Sequence, residues 1–252
     1  MIEIIAEIGV NHQGKLDTAL LLVDEAKSAG ANVVKFQMFS AEKLGRPELK
    51  DLELSKTELR TLMDYCDSIG IEFLCTPFDV EAVRFLDELG VKRIKISSGC
   101  LRRKDILEAV RKTGKPVILS TGMSSLEEIG KAMDVLYLNP LTLMHCCSAY
   151  PAPLEDMNLR AMLKMPFSLM PYGLSDHTKG ITAAIAAAAF GATIIEKHLT
   201  LDCRAPGPDH AASIEPDEFR AMVKAIREVE LMLGDGVKRI MPSEEKTRAL
   251  WA

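Results

Sequence analysis

The sequence carries no basic tract and no block of like charge. Acidic and basic residues are interspersed, with a net charge of −5. That removes the usual footprint of a nucleic-acid binder and of a charged tail. No basic leader or secretory signal precedes the first strand pattern. The one alanine-rich apolar run, after residue 180, is too short and too interrupted to span a bilayer. The six cysteines (66, 75, 100, 146, 147 and 203) form no C-x-x-C pair, and most sit inside apolar runs. They read as reduced thiols, and the expectation is a soluble cytoplasmic protein with neither nucleic acid nor membrane as partner. No G-x-G-x-x-G and no P-loop follows the first strand, so an open sheet with a nucleotide site lacks its signature.

What is present is an apolar content of 48% over 252 residues, enough for a large core. One unit recurs: an amphipathic segment, a glycine, then a short β-rich run. It appears around Gly30, Gly70, Gly90, Gly114 and Gly191. The glycine is the helix stop, and the continuous apolar run after it reads as a parallel strand buried on both faces. Strands are predicted near 3–8, 32–37, 71–76, 92–97, 116–121, 141–146, 171–175 and 193–198. Helices are predicted near 15–29, 55–69, 79–89, 103–113, 125–136, 158–164, 179–190 and 215–233. Ser55 with Glu58, and Ser124 with Glu127, have capping-box spacing. Eight alternations in this length favour an α/β TIM (β/α)₈ barrel, a single catalytic domain over 1–252, with an open doubly wound sheet as runner-up. Segments 40–54, 147–157 and 199–214 follow strands and so belong to the catalytic face; the last reads as the longest structureless loop. The polar end after Met241 reads as a packed or frayed tail.

The stretch from Gly173 to His198 is a strand–helix–strand unit, which forces its two strands to run parallel. His177 and His198 then stand at neighbouring strand ends, where two imidazoles can share one metal ion. The other strand ends deliver Glu7, Asn11 and His12; Lys35 and Gln37; Thr76 and Asp79; Lys95, Ser97, Ser98 and Cys100; Ser120 and Thr121; His145, Cys147, Ser148 and Tyr150; Ser175 and Asp176; Glu196 and Lys197. A ligand with several oxygens, at least one anionic, suits this set. Lys35 and Lys95, with hydroxyls beside them, suit a phosphate or carboxylate. Plainer readings stay open: the histidines as satisfied core residues, the lysines as peripheral charges, and Glu7 as a structural partner of Lys35.

Taken together, these residues resemble a known family. Ile5-Ala-Glu-Ile-Gly-Val-Asn-His-Gln-Gly, Val34-Lys-Phe-Gln, Thr76-Pro-Phe-Asp, Lys95-Ile-Ser-Ser-Gly, Leu119-Ser-Thr-Gly-Met, Tyr150-Pro-Ala-Pro, Gly173-Leu-Ser-Asp-His-Thr, Glu196-Lys-His-Leu-Thr and Pro206-Gly-Pro-Asp-His look like N-acetylneuraminate (sialic acid) synthases. The resemblance runs from about residue 3 to 244. It implies a TIM barrel that condenses phosphoenolpyruvate with an N-acylated amino-sugar aldehyde, giving a nonulosonic acid and phosphate. It implies Mn²⁺ or Mg²⁺ on His177 and His198. Lys35, Thr76, Lys95, Ser98 and Ser175 match phosphoenolpyruvate contacts. Glu7 and Glu196 match acidic residues near the reacting carbons and, with Lys35, are the catalytic candidates. Gln37, Tyr150 and Asp209 match positions that face the sugar.

The chain departs from that pattern in places. Cys100 stands where most members have an acid that touches the sugar. Ser148 stands two residues before Tyr150, where Asn or Ser is usual. The stretch after Lys43 is short, and no antifreeze-like domain follows the barrel within these residues. The resemblance implies a homodimer, and a separate antifreeze-like protein is a candidate partner. The rival to a synthase is a barrel that binds phosphoenolpyruvate or another anion without turnover, as a partner subunit.

Overall fold

The structure, a computed structural model, describes residues 1–164 and 170–251. Eight parallel strands form one sheet: β1 (Glu3–Gly9), β2 (Val33–Met38), β3 (Glu72–Pro77), β4 (Ile94–Ile96), β5 (Val117–Ser120), β6 (Leu141–His145), β7 (Tyr172–Asp176) and β8 (Ile194–His198). Their order is β3-β2-β1-β8-β7-β6-β5-β4. β3 and β4, at the two ends of that order, lie against each other, so the sheet curls to near closure. The fold is a TIM barrel.

The helices around it are α1 (Leu16–Ser28), a single turn α2 (Ala41–Leu44), α3 (Lys56–Ile69), α4 (Val80–Leu89), α5 (Lys104–Thr113), α6 (Leu126–Val135), α7 (Thr182–Ala189) and α8 (Pro216–Leu233), followed by a short α9 (Glu245–Ala249). Gly70, Gly90 and Gly114 end α3, α4 and α5 in the left-handed conformation that a Cβ disfavours. α7 buries Ala183, Ala184, Ala187 and Ala188; side chains this small let it pack closely against β7, β8 and α8.

Strand side chains alternate, and the alternation builds the barrel interior in layers. At the amino end, Arg93 reaches Glu3 (2.7 Å) and Glu72 (2.7 Å) and forms an ionic plug. Above it Ile5, Val33, Leu74, Ile118, Met144 and Ile194 make a dry apolar layer. Gly173 belongs to this level, because a Cβ there would come within 2.3 Å of the Ile194 carbonyl oxygen. Two residues further along each strand, the same inward face turns polar: Glu7, Lys35, Thr76, Ser120, Ser175 and Glu196. Outward-facing residues such as Ile4, Phe36, Leu119 and Ile195 meet the helices in the main core.

Several local expectations need correction. The second capping box is Ser125 with Glu128, because Ser124 Oγ turns back to the Gly122 carbonyl instead. Segment 158–164 is a 3₁₀ helix, Leu159–Leu163, entered through left-handed Asn158 and without a capping side chain. Segment 40–54 holds α2 and a 3₁₀ helix, Pro47–Leu52. Segment 199–214 is not structureless: Leu199 bridges Ile214, and His210–Ala212 form a 3₁₀ turn. The stretch 235–251 is exposed rather than packed. None of the helices among the described residues is long and apolar enough to cross a membrane.

Candidate active site

A cavity of about 350 Å³ opens at the carboxyl ends of the strands, and the lysines, glutamates, histidines, hydroxyl residues, Gln37 and Asp209 that the resemblance assigns to the site line it, whereas Cys100 does not. Its floor is a row of alternating charges from β1, β2, β8 and β4. Lys35 Nζ lies 2.6 Å from Glu7 Oε2 and 3.8 Å from Glu196 Oε2. Lys95 Nζ lies 3.4 Å from Glu196 Oε1 and donates to Ser120 Oγ at 2.7 Å. Lys35 also donates to Thr76 Oγ1 (3.2 Å), Ser175 Oγ donates to Glu196 Oε1 (2.8 Å), and Gln37 Nε2 donates to Glu7 Oε1 (2.9 Å).

All four ionic groups are buried, so desolvation is the largest influence on each. At Glu196 the two lysines overcome it and hold the carboxyl down, to about 2. At Glu7 burial wins and, helped by the Glu196 charge, raises the carboxyl. Burial opposes the charge on Lys35, but Glu196 and Glu7 outweigh it and hold the ammonium above its usual range. Lys95, with less compensation and Lys35 nearby, is lowered.

Beside this floor, the loops after β4, β5 and β6 converge. The Gly122 amide donates to Ser98 Oγ at 3.0 Å, and Cys146 Sγ touches that oxygen at 3.1 Å. A Cβ on Gly122 would meet Ser148 Oγ at 2.3 Å, so only glycine leaves the cradle open. The Ser148 and Ser97 hydroxyl oxygens are buried and have no hydrogen-bond partner among the described residues. Donors left unpartnered at this level are what an incoming anion satisfies.

His177 and His198 face each other across the mouth, with ring centroids 5.5 Å apart. His177 Nδ1 lies 2.7 Å from the Cys147 carbonyl oxygen. A carbonyl only accepts, so Nδ1 carries the proton and Nε2 keeps its lone pair. His198 Nδ1 is buried without a partner, 3.7 Å from Asp209 Oδ2. Burial lowers both imidazoles, and the neighbouring His177 ring and the Lys35 ammonium push His198 further down. Two neutral rings with unspent lone pairs fit a divalent cation. Among the described residues no group of three or more His, Cys, Asp or Glu side chains gathers into a metal site. The pair alone would supply two ligands to such an ion. Tyr150 stacks beside His177, 4.2 Å between centroids.

Asp209 closes the mouth. Burial and the charge of Glu7 raise its carboxyl to about 7. A clamp holds its loop: buried Asn11 donates to the Leu199 carbonyl and to Ser213 Oγ, both at 2.9 Å, and Ser213 Oγ donates to the Asp209 carbonyl at 2.7 Å. Sequence reasoning placed Asn11 at a strand end but gave it no such task. It also passed over Arg46, Phe78, Gly99 and Met123, which complete the lining. Their signal was position: Phe78, Gly99 and Met123 lie within the quoted motifs themselves.

Other strand-end residues lie outside the cavity. Asp176 and Lys197 pair on the outer face of the sheet. His145 Nε2 lies 2.6 Å from the Met157 carbonyl oxygen. His12 Nδ1 accepts from the Gly14 amide at 2.9 Å. Cys100 is buried with its thiol toward the Pro77 carbonyl, so this chain presents Gly99 to the cavity in place of an acid.

The NeuB family profile matches residues 22–238. The N,N'-diacetyllegionaminic acid synthase of Campylobacter jejuni is 43% identical over 96% of this chain and 80% of its own length. Human N-acetylneuraminate-9-phosphate synthase is 38% identical over 96% of this chain and 74% of its own. Among solved structures, the N-acetylneuraminic acid synthetase of Leptospira borgpetersenii, in complex with citrate, superposes with a TM-score of 0.92. It is 38% identical, with 99% of this chain and 90% of that one covered.

Proposed function

This chain belongs to the NeuB family, and from that premise we propose that it is a nonulosonic acid synthase, condensing phosphoenolpyruvate with an N-acylated amino-sugar aldehyde in the manner of N-acetylneuraminate synthases. The observation that carries the reading is the buried row Glu7, Lys35, Glu196 and Lys95 beneath the imidazole pair. With Glu7 in its proton-donating form the two lysines outnumber the one remaining carboxylate, so a strongly anionic enol phosphate is drawn in and turns both lysines towards itself. Thr76, Ser98, Ser148 and Ser175 supply hydroxyl donors around its phosphate and carboxylate.

Carbon 3 of phosphoenolpyruvate forms a bond to the aldehyde carbon, and the aldehyde oxygen takes a proton. Water adds at carbon 2, and phosphate departs with its C–O bond broken. Glu7 and Glu196 stand beside the lysines that hold the enol phosphate. Glu7 is the candidate donor to the aldehyde oxygen, and Glu196 the candidate that orients the attacking water and takes its proton. Gln37, Tyr150 and Asp209 hold the sugar above them. His177 and His198 would hold Mn²⁺ or Mg²⁺, whose chemistry when bound is to polarise the aldehyde as a Lewis acid.

The direct test is phosphate release from phosphoenolpyruvate with a panel of N-acyl hexosamines, each with and without Mn²⁺. Release that needs both an acceptor and the divalent ion supports the reading. No release with any acceptor would refute it.

A further inference from the structure

Met123 is one of three non-glycine residues with positive φ among the described residues, at 56°. Glycine is the ordinary occupant of that conformation, and a side chain there persists only where its surroundings dictate the backbone. The surroundings here do so from both sides. Before it, Gly122 is fixed through its amide to Ser98 Oγ and through its carbonyl to Ser124 Oγ. At Met123 itself, Arg102 Nη1 donates to the carbonyl oxygen at 3.3 Å, and Glu128 holds that guanidinium at 3.4 Å. The residue so fixed is apolar and 59% exposed, and it stands in the cavity lining with Phe78 and Tyr150. The deeper lining is charged or hydroxylic. Met123, Phe78 and Tyr150 are the large apolar members of the lining among the described residues, and a strained backbone holds the thioether side chain among them.

We propose that Met123 determines acceptor specificity, forming with Phe78 and Tyr150 the apolar wall against which the methyl of the acceptor's N-acyl group rests. This rests on the synthase reading and assigns the part of the sugar that the mouth selects. A residue retained merely as a turn would be replaced by glycine without loss; one that contacts substrate would not.

The experiment compares N-acetyl with N-formyl forms of the hexosamine that supports phosphate release, differing by one methyl. Wild-type protein is expected to favour the acetyl form roughly tenfold in kcat/KM, the worth of one methyl in an apolar site. In Met123→Gly that preference falls to about onefold, phosphoenolpyruvate KM stays within about twofold, and Tm is unchanged or raised because the backbone is relieved. Met123→Leu retains most of the preference. A Met123→Gly protein that still favours the acetyl form overturns the proposal. So does one that loses the preference along with phosphoenolpyruvate binding. A wild type that releases phosphate with no acceptor at all takes the synthase reading down and this inference with it.

Discussion

Two buried charge networks stand back to back on β7 and β8. On the outer face Lys197 meets Asp176 at 3.0 Å, and both are fully buried. Asp176 Oδ1 accepts from the Thr178 amide and hydroxyl, each at 2.8 Å, and Lys197 also donates to the Thr178 carbonyl. That network is closed among its own members. On the inner face Ser175 and Glu196, one residue away in each strand, belong to a network left open: among the described residues Glu196 Oε2 lacks a hydrogen-bond partner, and so does His198 Nδ1 nearby. Burial and charge are alike on the two faces. Completeness separates them. A buried ion with all its partners supplied by the chain serves the architecture, and one with partners missing is kept for something that arrives later.

The largest expected effect falls on the open network. Lys35→Met should lower kcat/KM for phosphoenolpyruvate by about 10³-fold or more, the scale of losing a charged group that acts on the reacting ligand. Its midpoint in urea should fall as well, since Glu7 is left buried beside Glu196 without its cation, so the contrast between the faces is read in the turnover of the folded fraction. A large loss of stability with full activity would reverse the contrast between the two faces. Lys197→Met should also cost stability, roughly 3–5 kcal/mol, by stranding Asp176. The folded fraction should still turn over within a few-fold of wild type. Adding Asp176→Asn to Lys197→Met should recover about 1–2 kcal/mol, which a double-mutant cycle measures. Next comes the proposed metal: EDTA treatment should abolish phosphate release, and Mn²⁺ should restore it, with the circular dichroism spectrum unchanged throughout. Full activity after EDTA would leave the imidazole pair without its assigned role.

The smallest effect concerns a third buried group and sets the pH at which the two networks are best compared. Burial lowers His12 to about 4, from an ordinary 6.5. The unfolded chain therefore binds a proton that the folded chain refuses between those values. The neutral ring's stability is complete above pH 6.5 and is lost as pH falls towards 4, by up to about 3 kcal/mol. His12→Gln should flatten that part of the stability–pH curve, read by urea melts at pH 7 and 4.5. An unchanged slope would mean that other groups set the acid response.

The layered barrel was legible because its signals are local. Each Gly after an amphipathic segment marks a helix end, and polar residues such as Lys35, Lys95 and Glu196 punctuate otherwise apolar runs. The inner and outer faces were harder. Ser175 and Asp176, or Glu196 and Lys197, look alike in sequence, and the pleat alone sends one inward and the other outward. Longer-range features left no local trace. Asn11 grips Ser213 across the barrel mouth, and Arg93 reaches back to Glu3 and across to Glu72. Met123 gave no signal of its own, because a left-handed backbone cannot be read from a methionine. The shift from Ser124 to Ser125 as cap came from a competing bond to Gly122, one residue beyond the pattern's reach.

The Arg93 plug and the apolar layer above it have a kinetic corollary. With the amino end sealed, the chamber opens, among the described residues, at the carboxyl ends of the strands, where Met123 and Tyr150 belong to its lining. Whatever sits on Lys35 and Lys95 is at the back of a blind alley. On the proposed function, traffic would be last in, first out: the enol phosphate would board before the aldehyde, and the group released at the back would wait for the one in front to clear.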